Sequence, residues 1–272
     1  MLRKFLIGLG LIFASAIGVV VVAVALFGAG KGGDTTAAGN QPGRPVEVGV
    51  TEGEAEDQPP AEPVPSLMDK PRKGPFFPIV RLYPGARVPM RAAPGGELID
   101  ILGSQSEFGS PTVLGVAEQR GPWLGATTPL RPNNTPGWIR LDREDLDLYW
   151  TRYSLTVRLP ERTLELRYGR RLLNTYPVTV GASGSTTPIG RFSITDALEF
   201  DASPYYGCCA LALSGRQESL PPGWLGGDRI AIHGTLGPVG DAASQGCIRA
   251  TDATMRTLFA RIPLGTPVFV SG

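Results

Sequence analysis

The stretch that decides the fold runs from Ile230 to Ala250 and reads IAIHGTLGPVGDAASQGCIRA. Its first residues are apolar and predict a short buried strand that leads into His233, the only histidine of the chain. Cys247 follows fourteen residues later. A thiol becomes a good nucleophile as the thiolate, and a nearby imidazole can take its proton and later protonate a leaving amine. On spacing alone, however, a lone histidine and a lone cysteine are more often packing residues.

Two glycines flank the candidate pair and favour the catalytic interpretation. Gly234 follows the histidine and Gly246 precedes the cysteine. Glycine lets the backbone approach a substrate closely and lets N–H groups point into a site. The loop over residues 236–243 is long enough to bring the two ends of the stretch together.

The residues around the pair identify a family. Ile-His-Gly-Thr, a glycine-bearing loop and then Ser-x-Gly-Cys-Ile-Arg resembles the signature of YkuD-type L,D-transpeptidases. Residues 187–194, TPIGRFSI, resemble the family's second landmark, a Thr-Pro-x-Gly-x-Phe turn and strand. A helical pattern at residues 255–262 and the closing Gly-Thr-Pro-Val at residues 265–268 also fit. The resemblance covers residues 151–272, about 45% of the chain.

The resemblance implies a β-rich catalytic domain that acts on peptidoglycan stem peptides. In such a reaction Cys247 attacks the carbonyl of the L-centre of the diamino acid at stem position three, expels the terminal D-Ala and holds the donor as a thioester. An amine of a second stem then resolves the thioester and crosslinks the cell wall. The resemblance also implies that carbapenems acylate this cysteine, and that no metal or organic cofactor takes part.

Roles for the other site residues follow from the same resemblance. His233 is the base and acid. The oxyanion is expected to meet backbone N–H groups near Gly246, with support from Gln245, Ser244 and Gly234. Arg249 and Thr235 are expected beside the substrate, although Arg249 could equally form an ion pair that shapes the loop.

Gln245 is the main departure from the family pattern, which has His or Asn at this position. All three side chains can donate a neutral hydrogen bond, so we expect the position to need a donor rather than a titrating group. The alternative is that Gln245 points to solvent.

Two rival functions stay open. Water in place of the amine would make the protein an L,D-carboxypeptidase. A non-catalytic peptidoglycan-binding protein would use Trp123 and Trp138 as ligand platforms, although core packing is the usual role of such tryptophans.

The N-terminus predicts the compartment. Residues 5–30 carry no charge and no proline, and a helix of that length exceeds the hydrocarbon core of a bilayer. Arg3 and Lys4 precede it, so residues 1–4 should stay in the cytoplasm. We expect a single-pass membrane anchor with the catalytic domain outside the cytoplasm. A signal peptide cleaved after Ala25 is the alternative.

The remaining chain divides into three parts. Residues 31–75 are rich in Gly and Pro and lack aromatic residues, which predicts a disordered linker. Residues 76–148 alternate short apolar runs with turn signals, which predicts a small β-barrel module. Part of it, residues 123–139, resembles the small Src-homology-type barrels of bacterial wall enzymes. Residues 149–272 are the predicted catalytic domain, mainly β and sandwich- or barrel-like, with one short helix.

Composition excludes several classes of protein. Lys plus Arg number 26 and Asp plus Glu number 25, so no general attraction to nucleic acid is expected. One histidine and three cysteines without a C-x-x-C pair exclude a Cys/His zinc site and a disulfide scaffold. Cys208 and Cys209 are expected to be two packing residues rather than a disulfide. The partners are therefore stem peptides and the membrane, and we expect a monomer.

Overall fold

A computed structural model describes residues 75–142, 144–224 and 226–272. The described residues belong to one compact unit that is built almost entirely of β-strands. The predicted membrane anchor and nearly all of the predicted linker lie outside the described residues. Among the residues described, no helix is long and apolar enough to cross a membrane.

The N-terminal module is a single antiparallel sheet of seven strands. In sheet order, its strands are β3, β2, β6, β5, β4, β1 and β7. Their bounds are β1 Phe77–Leu82, β2 Val88–Arg91, β3 Leu98–Leu102, β4 Val113–Arg120, β5 Trp123–Ala126, β6 Gly137–Arg140 and β7 Leu146–Thr151. Since β7 pairs with β1 along its whole length, the module's sheet continues through Thr151, three residues beyond the predicted end.

The C-terminal domain contains a second, eight-stranded sheet. Its strands are ordered β10, β9, β8, β17, β12, β13, β14 and β16, and a short parallel pair joins β11 to β15. The bounds are β8 Tyr153–Arg158, β9 Thr163–Tyr168, β10 Arg171–Pro177, β11 Val180–Gly181, β12 Gly190–Ser203, β13 Gly207–Arg216, β14 Arg229–Thr235, β15 Ala242–Ser244, β16 Ile248–Thr251 and β17 Pro267–Ser271. The prediction of a mainly β domain is confirmed.

One helix, α1 Asp252–Phe259, packs on this sheet. Thr251 caps its N-terminus, since the threonine hydroxyl accepts the backbone N–H of Thr254 at 3.2 Å. Met255 and Leu258 are fully buried and form the apolar face that the sequence pattern predicts. The helix begins directly after β16, so its packing fixes the strand that follows Cys247.

The two sheets meet closely at Gly115 of β4. A Cβ atom at this position would lie 2.7 Å from Ser193 Cβ and 2.8 Å from the Gly265 carbonyl oxygen, so only glycine fits. Arg191 of β12 strengthens the contact, because its guanidinium donates to the Val116 carbonyl at 2.8 Å and to the Ala117 carbonyl at 3.2 Å. The module is therefore packed directly against β12.

Gly115→Ala tests this contact. We expect the free energy of unfolding to fall by about 1–3 kcal/mol, because the added methyl group must displace Ser193 or the Gly265 backbone. Urea unfolding measures the change. Gly103→Ala is the matched control: its Cβ would meet nothing within 4 Å, and we expect a change within about 0.5 kcal/mol. Equal stability of the two variants would contradict the close approach.

Candidate active site

Cys247 and His233 lie on two neighbouring parallel strands. Pairing of β14 with β16 aligns Ile232 with Ile248 and His233 with Arg249. Cys247 stands immediately before β16, beside the start of β14. Its sulfur lies 3.9 Å from the Arg229 carbonyl oxygen and also interacts with the backbone N–H of Ala231. The Cys247 sulfur therefore contacts β14, and His233 lies on the same strand, two residues beyond Ala231.

The imidazole has a defined tautomer. His233 Nδ1 lies 2.8 Å from the Gly234 carbonyl oxygen. Because a carbonyl can only accept, Nδ1 carries the proton and Nε2 is the basic nitrogen. Only 3% of His233 is exposed, and the Tyr206 ring meets it edge-on at a centroid distance of 5.1 Å. Burial lowers the pKa of His233, and the Gly234 hydrogen bond opposes this only in part. The ring is thus kept neutral and able to accept a proton.

The thiol is also kept neutral. Burial raises the pKa of Cys247, while the Ala231 N–H and the Arg249 charge oppose the rise. Within the described part of the chain, no hydrogen bond joins the thiol to the imidazole. Burial therefore disfavours the charged form of each of these two side chains. Catalytic hydrogen bonds commonly tighten only in the complex with substrate.

Hydroxyl groups hold the turn that carries the cysteine. Ser244 Oγ donates to the Cys247 carbonyl at 2.6 Å and accepts the Gly246 N–H at 3.1 Å. Thr187 Oγ1 donates to the Gly246 carbonyl at 2.8 Å and accepts the Gly181 N–H at 2.9 Å. Gly246 has a φ of 107°, a conformation that favours glycine. Ser244 thus supports the turn, and its hydroxyl already accepts the Gly246 N–H, while the support of an oxyanion by these residues stays a prediction.

A glutamine that the sequence did not single out lies beneath the same turn. Gln217 Nε2 donates to three carbonyl oxygens, those of Ser185 at 3.0 Å, Thr186 at 3.1 Å and Gln245 at 3.3 Å. A Cβ atom on Gly246 would lie 2.2 Å from that nitrogen. Gln217 thus ties the turn that carries Cys247 to the loop that follows β11. Sequence reasoning missed it because Gln217 belongs to none of the recognised motifs.

Gln245 does not point to solvent. Its side-chain Oε1 accepts a hydrogen bond from Ser185 Oγ at 2.7 Å. The carboxamide oxygen links the turn that carries Cys247 to the Ser185 loop. The NH₂ group of Gln245 is separate from this oxygen, so its role as a hydrogen-bond donor beside the thioester stays a prediction.

The other predicted residues lie close to the pair. Gly234 packs against Asp252, whose carboxylate would meet an added Cβ at 2.2 Å, and Thr235 Oγ1 accepts the Gly237 N–H at 3.1 Å. Arg249 forms no ion pair with any described residue, so the loop-shaping alternative lacks a partner here. Its charge acts on both His233 and Cys247.

Cys208 and Cys209 correct an expectation. The structure joins these neighbours as a disulfide, whereas the sequence favoured two separate packing residues. Both remain buried at the start of β13, and Cys208 N–H donates to Asp252 Oδ1 at 3.1 Å. The expectation relied on the strain of a ring between adjacent cysteines, but this pair directly follows the turn at Gly207, where φ is 60°.

Comparison with known proteins places this geometry in a family. The YkuD family model, described as the L,D-transpeptidase catalytic domain, matches residues 152–270. A Bacillus subtilis protein named as L,D-transpeptidase YkuD is 32% identical over 127 residues, which cover 46% of this chain and 70% of that protein. The chain belongs to the YkuD L,D-transpeptidase family.

Two further proteins are similar to part of this chain. A Bacillus licheniformis protein of the same name is 34% identical over 121 residues, covering 44% of this chain and 66% of that protein. An Enterococcus faecium L,D-transpeptidase of solved structure is 18% identical with a TM-score of 0.35, covering 44% of this chain and 49% of that one. The chain thus spans about half the length of that structure. The predicted family is confirmed.

The two tryptophans of the non-catalytic alternative differ in exposure. Trp138 is 3% exposed, and the Arg120 guanidinium lies over its ring at 4.6 Å. Trp123 is half-buried and pairs in register with Arg140. Trp138 therefore packs in the core, which removes one of the two ligand platforms of the non-catalytic alternative.

The neutral thiol predicts a pH profile. Only the thiolate reacts with iodoacetamide, and burial raises the pKa of Cys247. We expect alkylation of Cys247 at neutral pH to be slower than that of a free cysteine amide, and the midpoint of its pH profile to lie above that of the free thiol, whose pKa is about 8.5. Mass spectrometry of the labelled peptide gives the rates, with Cys247→Ser as background. A profile that levels off at or below the free thiol's would contradict the neutral resting state.

Thr187→Val tests the support of the turn. The substitution removes a buried hydroxyl that serves Gly246 and Gly181, so we expect the free energy of unfolding to fall by about 1–3 kcal/mol. Thr187→Ser should retain most of it. Thr257→Val, at a helix hydroxyl that bonds only to Ala253, is the control and should change stability by less than about 0.5 kcal/mol. A Thr187→Val protein as stable as this control would show that the hydroxyl does not hold the turn.

Proposed function

We propose that the protein is a membrane-anchored peptidoglycan L,D-transpeptidase whose nucleophile is Cys247. One observation carries the proposal: His233 Nδ1–H is committed to the Gly234 carbonyl, which leaves Nε2 as a base on the strand that the Cys247 sulfur touches. Family membership and the hydroxyl-supported turn add to it. The anchor over residues 5–30 and the position of the catalytic domain outside the cytoplasm are inferred from the sequence.

The first half-reaction is acylation. His233 Nε2 takes the proton of the thiol, and the sulfur adds to the carbonyl of the L-centre of the stem's diamino acid. The C–S bond forms, the oxyanion collapses, and the peptide C–N bond to the terminal D-Ala breaks. The imidazolium returns its proton to the leaving amine of D-Ala. The donor stem is then held as a thioester.

The second half-reaction transfers the acyl group. An amine of a second stem attacks the thioester, His233 accepts the amine proton, and the thiol leaves with a proton. The product joins the third residues of two stems. Arg249, whose guanidinium has no ion-pair partner among the described residues, supplies a positive charge beside the pair for a stem carboxylate. The same thioester attacked by water would make the protein an L,D-carboxypeptidase.

The test is the reaction itself. The full chain is incubated with a disaccharide-tetrapeptide, and the products are weighed by mass spectrometry. A crosslinked dimer with release of D-Ala supports transpeptidation. Release of D-Ala without dimer indicates hydrolysis, and unchanged substrate overturns the proposed enzyme.

Covalent labelling locates the nucleophile. A carbapenem should add one drug-derived mass to the peptide that contains Cys247. Cys247→Ser and His233→Ala should each lose nearly all of this acylation, because a serine hydroxyl stays protonated and the thiol loses its base. Far-UV circular dichroism checks that both variants fold. A label on Cys208 or Cys209 would show that the nucleophile is assigned wrongly.

A further inference from the structure

One loop of the N-terminal module is held rigidly on the catalytic domain. We call residues 129–136 the bridging loop. Asn133 Nδ2 donates to the Arg216 carbonyl at 2.7 Å, and the Arg216 N–H donates back to Asn133 Oδ1 at 2.9 Å. Asn134 makes the same double contact, with the Ile189 carbonyl and the Arg191 N–H, each at 3.0 Å. Four hydrogen bonds to catalytic-domain backbone thus fix the loop's position.

An open groove lies between the bridging loop and the loop that follows β13. Its volume is about 680 Å³, which falls in the range of ligand sites. Leu130, 38% exposed, and Arg131 form the module side. Arg216, Gln217 and Asp228 form part of the catalytic side. The walls of the groove come from both the module and the catalytic domain, so the groove forms only when the two pack together.

The groove adjoins the catalytic turn through Gln217. Gln217 is one of the residues that line the groove, and its amide nitrogen donates to the Gln245 carbonyl, two residues before Cys247. The groove and the support of the turn that carries Cys247 thus share a residue.

The charge in the groove is uneven. Arg216 pairs with Asp228 at 2.5 Å, so these two charges offset each other. Glu218 is exposed on the catalytic side and lies in no ion pair among the described residues. Arg131 likewise forms no hydrogen bond or ion pair with the described residues, and its buried Nε–H lacks an acceptor. A buried donor without a partner is costly, and a carboxylate is the acceptor that matches a guanidinium best.

We propose that this groove binds a carboxylate-bearing stem peptide and that Arg131 is the receptor for one of its carboxylates. The inference rests on the proposed function for the identity of the peptide. It assigns the module a direct part in substrate recognition: the module contributes the cationic side of a substrate groove whose other side is the catalytic domain. Arg131 touches substrate but takes no part in the proton transfers, which belong to His233.

Binding measurements test the assignment in the full chain with Cys247→Ala, which prevents turnover. Calorimetry compares a tetrapeptide stem with the same peptide whose carboxylates are converted to carboxamides. Loss of one charge-assisted hydrogen-bonded contact corresponds to about a tenfold change in affinity. We expect Arg131→Gln to lower the affinity for the carboxylate peptide about tenfold and to leave the affinity for the carboxamide peptide unchanged. Arg131→Lys should recover part of the affinity.

Two variants serve as controls. Arg87→Gln removes the same charge from an exposed position of the module outside the groove and should change the affinity less than twofold. Glu218→Gln removes a negative charge from the opposite side of the groove and should tighten binding of the carboxylate peptide, because it removes a repulsion between like charges. If Arg131 acted only by pairing with Glu218, the two variants would weaken binding alike. Urea unfolding confirms that each variant is folded.

The outcomes separate the two proposals. If the wild-type chain crosslinks stems but Arg131→Gln binds the carboxylate and carboxamide peptides as the parent does, the groove assignment is overturned and the enzyme stands. If no turnover occurs but the peptide still binds in an Arg131-dependent way, the groove stands and the proposed enzyme fails. In the active background, a raised KM with an unchanged kcat supports recognition by Arg131, and a lowered kcat at unchanged KM contradicts it.

Discussion

The parallel pairing of β14 with β16 is the constraint on which the rest of the site depends. Parallel neighbours cannot be joined by a tight hairpin, so the chain must cross from the end of one strand to the start of the other. Residues 236–247 make this crossing, with β15 inside it. Their final turn delivers Cys247 against the edge of β14, two residues from His233 in the aligned register. The rest of the fold holds this register: α1 packs after β16, and β13 completes the other side of β14.

Much of this arrangement could be predicted from particular residues. The apolar run before His233 indicates a buried strand, the Met255 and Leu258 spacing indicates the helix, and the motif around Cys247 identifies the family. Gln217 could not be found in the same way, because its role depends on three carbonyl oxygens from two loops that are distant in sequence. The same holds for Gln245: the sequence shows that it can donate a hydrogen bond, but only the fold shows that Ser185 lies within reach of its oxygen.

The junction between the module and the catalytic domain was not predicted either. Sequence patterns describe each segment separately, and nothing in residues 131–136 reveals that two asparagines will bond to the backbone of β12 and β13. The sequence around Gly115 likewise does not indicate an interface, although the absence of a side chain there allows the two sheets to pack closely. Such contacts depend on the complementary shapes of two surfaces. Unlike a helix or a strand, an interface of this kind leaves no periodic pattern in the sequence. They make the module part of the enzyme's architecture rather than an appended domain.

The raised pKa of the Cys247 thiol has a consequence for oxidative damage. Peroxide attacks thiolates, and successive oxidation leads through sulfenic acid to sulfinic and sulfonic acids, of which the last cannot be reduced. A raised pKa lowers the fraction of Cys247 that is present as thiolate and so slows this oxidation. If Cys247 is the proposed nucleophile, the same property lengthens the time for which it stays reactive in the presence of peroxide. A site with a permanently ionised cysteine would react faster with substrate and be inactivated sooner by oxidants.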